Sequence, residues 1–300
     1  MSAPALAAIP VFFTPQMQAQ VVSLSPSAHK PLAALESWRQ LNISLDVMQP
    51  APATTVDIQR AHDPEYVEGI LSCRIANGFY NKDPLVAASL LYTNGAMLAA
   101  AREAIRNGFV SVAPCCGFHH ASHASNMGFC TFNGLMIAAL TLKAEGLVKR
   151  VGILDLDQHY GDGTDNIIQT LGVDFVTHFT AGEHYSSSSQ APEFLQRIPE
   201  LVTSMQDCDV ILYQAGADPH VDDPLGGWLT TPQLAQRDRL VFETAKKLSI
   251  PVAWDLAGGY QNPLRKVLDI HDNTMRAAAA VYLQAQEALV VPSTEVGYAT

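Results

Sequence analysis

Val151-Gly152-Ile153-Leu154-Asp155-Leu156-Asp157-Gln158-His159-Tyr160-Gly161-Asp162-Gly163 is the stretch from which the rest of the chain can be read. Its four leading residues are apolar apart from one glycine and predict a buried strand. Acidic groups entering such a strand need partners, because an unpaired buried carboxylate is costly. Asp155, Asp157 and His159 share the period-2 parity of a strand. Asp157 and His159 can therefore point from one face at a single metal ion. The glycines that follow let the chain turn sharply beside whatever is bound.

Two further polar clusters, Gly117-Phe118-His119-His120-Ala121 and Gly216-Ala217-Asp218-Pro219-His220, also follow apolar runs. Such runs recur at Ile9–Phe13, Phe109–Ala113, Val151–Leu156, Phe175–Phe179, Val210–Tyr213 and Pro251–Leu256. Helical spacing separates them: from Pro84 to Asn107-Gly108, from Phe132 to Glu145, from Thr231-Pro232 to about Lys247, and within Arg265 to about Gln286. Fully apolar strands alternating with helices predict an α/β fold, a mostly parallel central sheet with helices on both faces. Ligands of such sheets sit outside the carboxyl ends of the strands, where all three clusters fall. Pro50-Ala51-Pro52-Ala53-Thr54 reads as a loop and not as an interdomain linker, so residues 1–300 are expected to form a single catalytic domain. No repeat, Walker loop or full dinucleotide fingerprint is present, and Gly258-Gly259 lacks the third glycine that a dinucleotide site needs.

The composition narrows the classes of function. The chain has 300 residues, 48% hydrophobic and 16% charged, outside the disordered range. A net charge of −11 argues against a phosphate-tracking nucleic-acid binder and favours cationic or neutral substrates. No uninterrupted apolar stretch reaches the ~20 residues of a membrane helix, so no membrane partner is expected. Met1–Pro10 lacks the basic region of a secretory signal. Cys73, Cys115, Cys116, Cys130 and Cys208 are odd in number and sparse, which predicts reduced, packed thiols and a cytoplasmic protein.

The residues suggest a metal hydrolase. Two carboxylates and one imidazole make a suitable protein shell for a catalytic zinc, with a fourth position left open. Asp157, His159 and Asp218 form the best such set. The rings of His119-His120, on a loop, can approach a metal-bound water, with Asp155 and Asp162 as spare acids to orient them. Tyr260, after two glycines, can donate its hydroxyl to an oxyanion or can simply pack. Phe129, between Gly128 and Cys130, reads equally as pocket wall or core. His123 and His220 are expected to be solvated or supporting.

At this point the chain resembles the zinc-dependent histone deacetylase and acetylpolyamine amidohydrolase family, the deacetylase branch of the arginase-like α/β fold. The resemblance runs from about Pro10 into the last helix. It rests on the two segments quoted first above, on Gly128-Phe129-Cys130-Thr131-Phe132-Asn133, on Gly216-Ala217-Asp218, and on Gly258-Gly259-Tyr260. Ala61-His62-Asp63-Pro64-Glu65-Tyr66-Val67 looks like the family's early helix entrance. It implies that Asp157, His159 and Asp218 hold Zn2+, and that His119 and His120 are acid–base histidines supported by Asp155 and Asp162. It also implies that Tyr260 polarises the acyl carbonyl, while Phe129 and Gly128 line a narrow channel. A structural K+ bordered by Asp155, Asp157 and His159 is implied too, completed around Thr177 and His178. Two departures stand out. Ala113-Pro114-Cys115-Cys116-Gly117-Phe118 replaces the usual Arg-Pro-Pro-Gly approach, and Tyr160 stands where a second histidine is often found.

The implied reaction is hydrolysis of an acylated amine. The acidic chain favours a small acetylated polyamine, with Asp63, Glu65, Asp83 and Asp222-Asp223 as candidates for an acidic rim. An acetyl-lysine peptide or protein is the alternative, and a catalytically weak metal-containing binding protein a further one. A dimanganese ureohydrolase of the same broad fold would need more bridging carboxylates. Homo-oligomerisation is left open.

Overall fold

The computed structural model describes residues 5–284, so the predicted extension of the last helix to Gln286 lies outside the described residues. Seven strands are found among them: β1 (Ile9–Phe12), β2 (Leu45–Met48), β3 (Val110–Val112), β4 (Val151–Asp155), β5 (Val176–Thr180), β6 (Val210–Gln214) and β7 (Val252–Asp255). They form one sheet in the order β2-β1-β3-β7-β6-β4-β5, and every pairing is parallel. Six of the seven follow the apolar runs to within a residue or two. The strand missed by sequence, β2, lies at an edge, and its Leu-Asp-Val-Met is half exposed, so no apolar run marks it.

The helices are α1 (Lys30–Trp38), α2 (Thr55–Gln59), α3 (Pro64–Leu71), α4 (Pro84–Asn107) and α5 (Gly134–Ala144), then α6 (Asp162–Leu171), α7 (Ala191–Thr203), α8 (Thr231–Leu248) and α9 (Arg265–Tyr282). The long α4 begins where the Asp83 carboxylate accepts the Leu85 N–H and Pro84 presets the first turn, and it stops at left-handed Gly108. By length and average composition α4 is long and apolar enough to cross a membrane, although polar residues interrupt it. It instead packs on β1, β3, β7 and α5 as a core helix. Helices α1, α7, α8 and α9 pack with one another around the other face.

Two apolar cores result, one on each side of the sheet. Ile211, Tyr213, Val252 and Trp254 enter one of them, while Val210, Leu212 and Ala253 enter the other. This alternation along β6 and β7 is the period of two in a strand covered on both faces, which is why the strands read as continuous apolar runs.

Candidate metal and catalytic site

The four adjacent central strands, β3-β7-β6-β4, each send one loop to the same edge of the sheet. The loop after β3 carries His119, His120 and Phe129, and that after β4 carries Asp157, His159 and Asp162. Asp218 and Asp223 follow β6, and Gly258-Gly259-Tyr260 follow β7.

Asp157, His159 and Asp218 converge, each offering a ligand atom within 4.8 Å of the others. His159 Nδ1 lies 3.2 Å from Asp157 Oδ1 and 3.1 Å from Asp218 Oδ2. Asp218 Oδ2 is nonetheless a buried atom without a hydrogen bond. Buried carboxylates that face each other need a cation. Burial, reinforced by the neighbouring Asp157, lifts Asp218 to about 7. The two carboxylates push the His159 imidazole up to about 11. An imidazole nitrogen and two carboxylates around one point, with an orphaned buried oxygen, are the donor set that zinc accepts.

Asp155 is already committed elsewhere. Its Oδ2 meets His119 Nδ1 at 2.7 Å, while Oδ1 accepts Gln214 Nε2 at 3.0 Å and the Asp157 N–H at 3.2 Å. It therefore orients His119. Asp162, at the first residue of α6, does the same for His120, with Oδ1 2.6 Å from Nδ1. The two rings lie 4.1 Å apart between centroids, and His119 Nε2 is 3.7 Å from Asp157 Oδ1. Burial opposes protonation of His119, but the fields of Asp155 and Asp157 win and raise it to about 9. Burial and the charge on His119 lower His120. The pair therefore holds one proton readily, on His119, and resists a second.

Phe129 is half buried, so the pocket-wall reading wins over core. Its ring lies 5.9 Å from that of Tyr260 and 6.1 Å from that of Phe79. Gly128 backs His120, since a Cβ there would come within 2.4 Å of Cδ2 on that ring. Burial pushes the Tyr260 phenol far up, so it stays a hydrogen-bond donor. In the departing segment Cys115 is buried and Cys116 Sγ donates to Leu256 O at 3.2 Å. A cavity of about 40 Å³, lined by Met17, Leu90, Cys116, Phe118, Phe129 and Phe132 among others, adjoins it.

His62, His123 and His220 hold backbone and loop geometry. His62, fully buried, accepts the Asn133 N–H at Nε2 and meets Ser122 O through Nδ1. His123 Nδ1 meets Ala61 O, and His220 shapes the loop after Asp218. The expected acidic rim is smaller than the sequence suggested. Asp63 and Asp83 cap α3 and α4, and Asp223 is buried, leaving Glu65 and Asp222 exposed. Sequence reasoning missed Gln214, which joins Asp155 to the Phe118 N–H, and Lys30, whose buried ammonium donates to Gly258 O. Lys30 opens α1 and Gln214 ends β6, and neither has a local signal of a site.

A parallel α/β domain with a candidate metal cluster and carboxylate-backed paired histidines is thus defined. The Histone deacetylase domain family matches residues 25–185 and 172–275, and the chain belongs to it. An uncharacterized protein of Picosynechococcus sp. is 32% identical over 259 residues, 79% of this chain and 86% of that protein. Two solved structures share the fold. The HDA15 HD domain aligns with a TM-score of 0.74 at 18% identity, covering 93% of this chain and 90% of that one. The acetylpolyamine aminohydrolase of Burkholderia pseudomallei gives 0.70 at 17% identity, covering 91% and 99%.

Proposed function

We propose that the chain is a zinc-dependent amidohydrolase that removes an acetyl or related acyl group from an amine, preferring small acetylated polyamines. The observation that carries the reading is the convergence of Asp157, His159 and Asp218 beside two histidines that each have a carboxylate partner. Asp157, His159 and Asp218 would hold zinc, which when bound supplies Lewis-acid polarisation of the acyl carbonyl and a more acidic water.

The protein residues divide the proton work. His120, kept neutral by burial and by its charged neighbour, takes the proton of the attacking water. His119, oriented by the Asp155 carboxylate at 2.7 Å, gives a proton to the departing amine. Tyr260 donates its hydroxyl to the oxyanion of the tetrahedral intermediate, a contact worth roughly 3 kcal/mol in comparable sites. Phe129 and Phe79 present apolar faces to the acyl-bearing arm. The register places Thr180 beside Asp155, where the resemblance implied Thr177 and His178, and the Thr180 hydroxyl accepts the Gly161 N–H at 3.0 Å.

The preference for a small cation is supported by the net charge of −11 and by exposed Glu65 and Asp222. The free thiols of Cys73, Cys115, Cys116, Cys130 and Cys208 suit a cytoplasmic, reducing setting. The test is acetate release by the zinc-loaded protein from acetylputrescine, acetylspermidine, acetylcadaverine and an acetyl-lysine peptide. Small amines are expected to react fastest, and faster at low salt than at high. A peptide preference would reverse the substrate assignment, and inactivity on all four with zinc bound would overturn the hydrolase reading for these amines.

A further inference from the structure

Tyr260 is delivered by a turn that no helix or strand holds. The chain leaves β7, passes Gly258 at φ 55° and Gly259 at φ 90°, and reaches Tyr260. Two glycines in left-handed conformations define a segment with many alternatives, so something must select this one. Lys30 holds the Gly258 carbonyl. One residue further along the turn, the Tyr260 N–H donates to Asp223 Oδ2 at 2.8 Å.

Asp223 is suited to that task. It is only 6% exposed, although Asp222 and Pro224 on either side face solvent. Its second oxygen accepts the Leu225 N–H at 3.0 Å, so the carboxylate orientation is fixed. Its own N–H donates to His220 O at 2.9 Å. His220 in turn accepts the Asp222 N–H at 3.1 Å and meets Thr231 Oγ1, at the start of α8, at 2.9 Å. The loop that begins with Asp218 is thereby tied to a helix and reaches across to the turn after β7. A buried carboxylate is retained only where such hydrogen bonds compensate for lost hydration, and charge-assisted ones hold geometry best.

We propose that Asp223 is a positioning residue for the reaction. It fixes the backbone from which the Tyr260 phenol is presented, and so couples the Asp218 loop to the oxyanion donor. The assignment rests on the amidohydrolase reading and deepens it by naming the group that holds Tyr260 in place. A misplacement of about 1 Å can cost on the order of 100-fold in rate, so a lost anchor should be visible in kcat.

A double-mutant cycle separates this role from general stabilisation. The zinc-loaded wild type, D223A, Y260F and D223A/Y260F are assayed for acetate release from acetylputrescine, with zinc content and melting temperature recorded for each. D223A is expected to lower kcat by roughly 10- to 100-fold with KM changed less than about threefold and zinc retained. In the Y260F background the same change is expected to cost less than about twofold, because the hydroxyl it positions is already gone. D223N keeps one acceptor for the Tyr260 N–H while its amide nitrogen faces the Leu225 N–H, so it is expected to recover only part of the rate lost in D223A, and it guards against a D223A protein that fails to fold. An unchanged rate in D223A, or an equal loss in both backgrounds, overturns the assignment while leaving the role of Tyr260 intact. Full activity in Y260F overturns the role of Tyr260 and this assignment with it.

Discussion

Replacing Gly258 with alanine should damage the metal site through a single methyl group. A Cβ at this position would lie 2.3 Å from Asp218 Cγ and 2.4 and 2.5 Å from its two oxygens. Ordinary carbon contacts begin at about 3.5 Å, so the carboxylate or the turn must retreat by roughly 1 Å. Metal–ligand distances tolerate only about 0.2 Å, and the displaced Asp218 would cease to be an effective ligand. We expect zinc affinity to fall by at least the roughly 10- to 100-fold that losing even an outer-shell partner costs. The left-handed φ of 55° adds a backbone penalty of about 1–2 kcal/mol, unrelated to the metal. Gly146 separates the two effects, because its φ is 73° and a Cβ there meets nothing within 4 Å. G146A should therefore show the backbone penalty alone, with wild-type zinc binding. Chelator competition would give the affinities and urea unfolding the stabilities. Zinc binding by G258A within about twofold of wild type would refute the close packing of this turn on Asp218.

Two other expectations follow from the histidines. D162N removes the anion held against His120 Nδ1, which should lower kcat by roughly 10- to 100-fold with little change in KM. Because Asp162 raises the His120 pKa, the acid limb of the rate–pH profile should move to lower pH, and a limb that stays put would exclude His120 as the base. His62 tests stability away from the site. Burial lowers it from 6.5 to about 4, so between those values the unfolded chain binds the proton more readily than the folded one. The stability that depends on neutral His62 is complete above pH 6.5 and is lost as pH falls towards 4, by about 3 kcal/mol in total. The difference in urea stability between wild type and H62Q should shift by that sign and size from pH 7.5 to 4.5, and a constant difference would refute it.

The legibility of the chain followed burial. Strands covered on both faces, such as β4 and β6, announce themselves as apolar runs, whereas half-exposed β2 does not. The residues expected at the site, His119, His120, Asp155, Asp157, His159, Asp162, Asp218 and Tyr260, all lie at or beyond the carboxyl ends of the four central strands. Each sits in a polar cluster beginning at a strand end, a local pattern that survives in one dimension. In the sequence Asp223 reads as a rim acid because nothing local distinguishes it from exposed Asp222; its inward turn depends on Tyr260, distant in sequence. Lys30 and Gln214 are invisible for the same reason, since their partners Gly258 and Asp155 come from distant parts of the chain.

The position of β7 has a consequence for how the molecule comes into being. It is the last of the seven described strands, yet it lies between β3 and β6, which are not hydrogen-bonded to each other. Until β7 inserts, the chain holds two separate three-stranded pieces, β2-β1-β3 and β6-β4-β5, each with an unpaired inner edge. The metal ligands on the β4 and β6 loops belong to one piece and the paired histidines after β3 to the other. A nascent chain emerging from the ribosome amino end first therefore cannot assemble this chemistry early. The same strand that joins the two halves of the sheet also leads into the turn that carries Tyr260, so sheet closure and the placing of this phenol depend on the same long-range pairing.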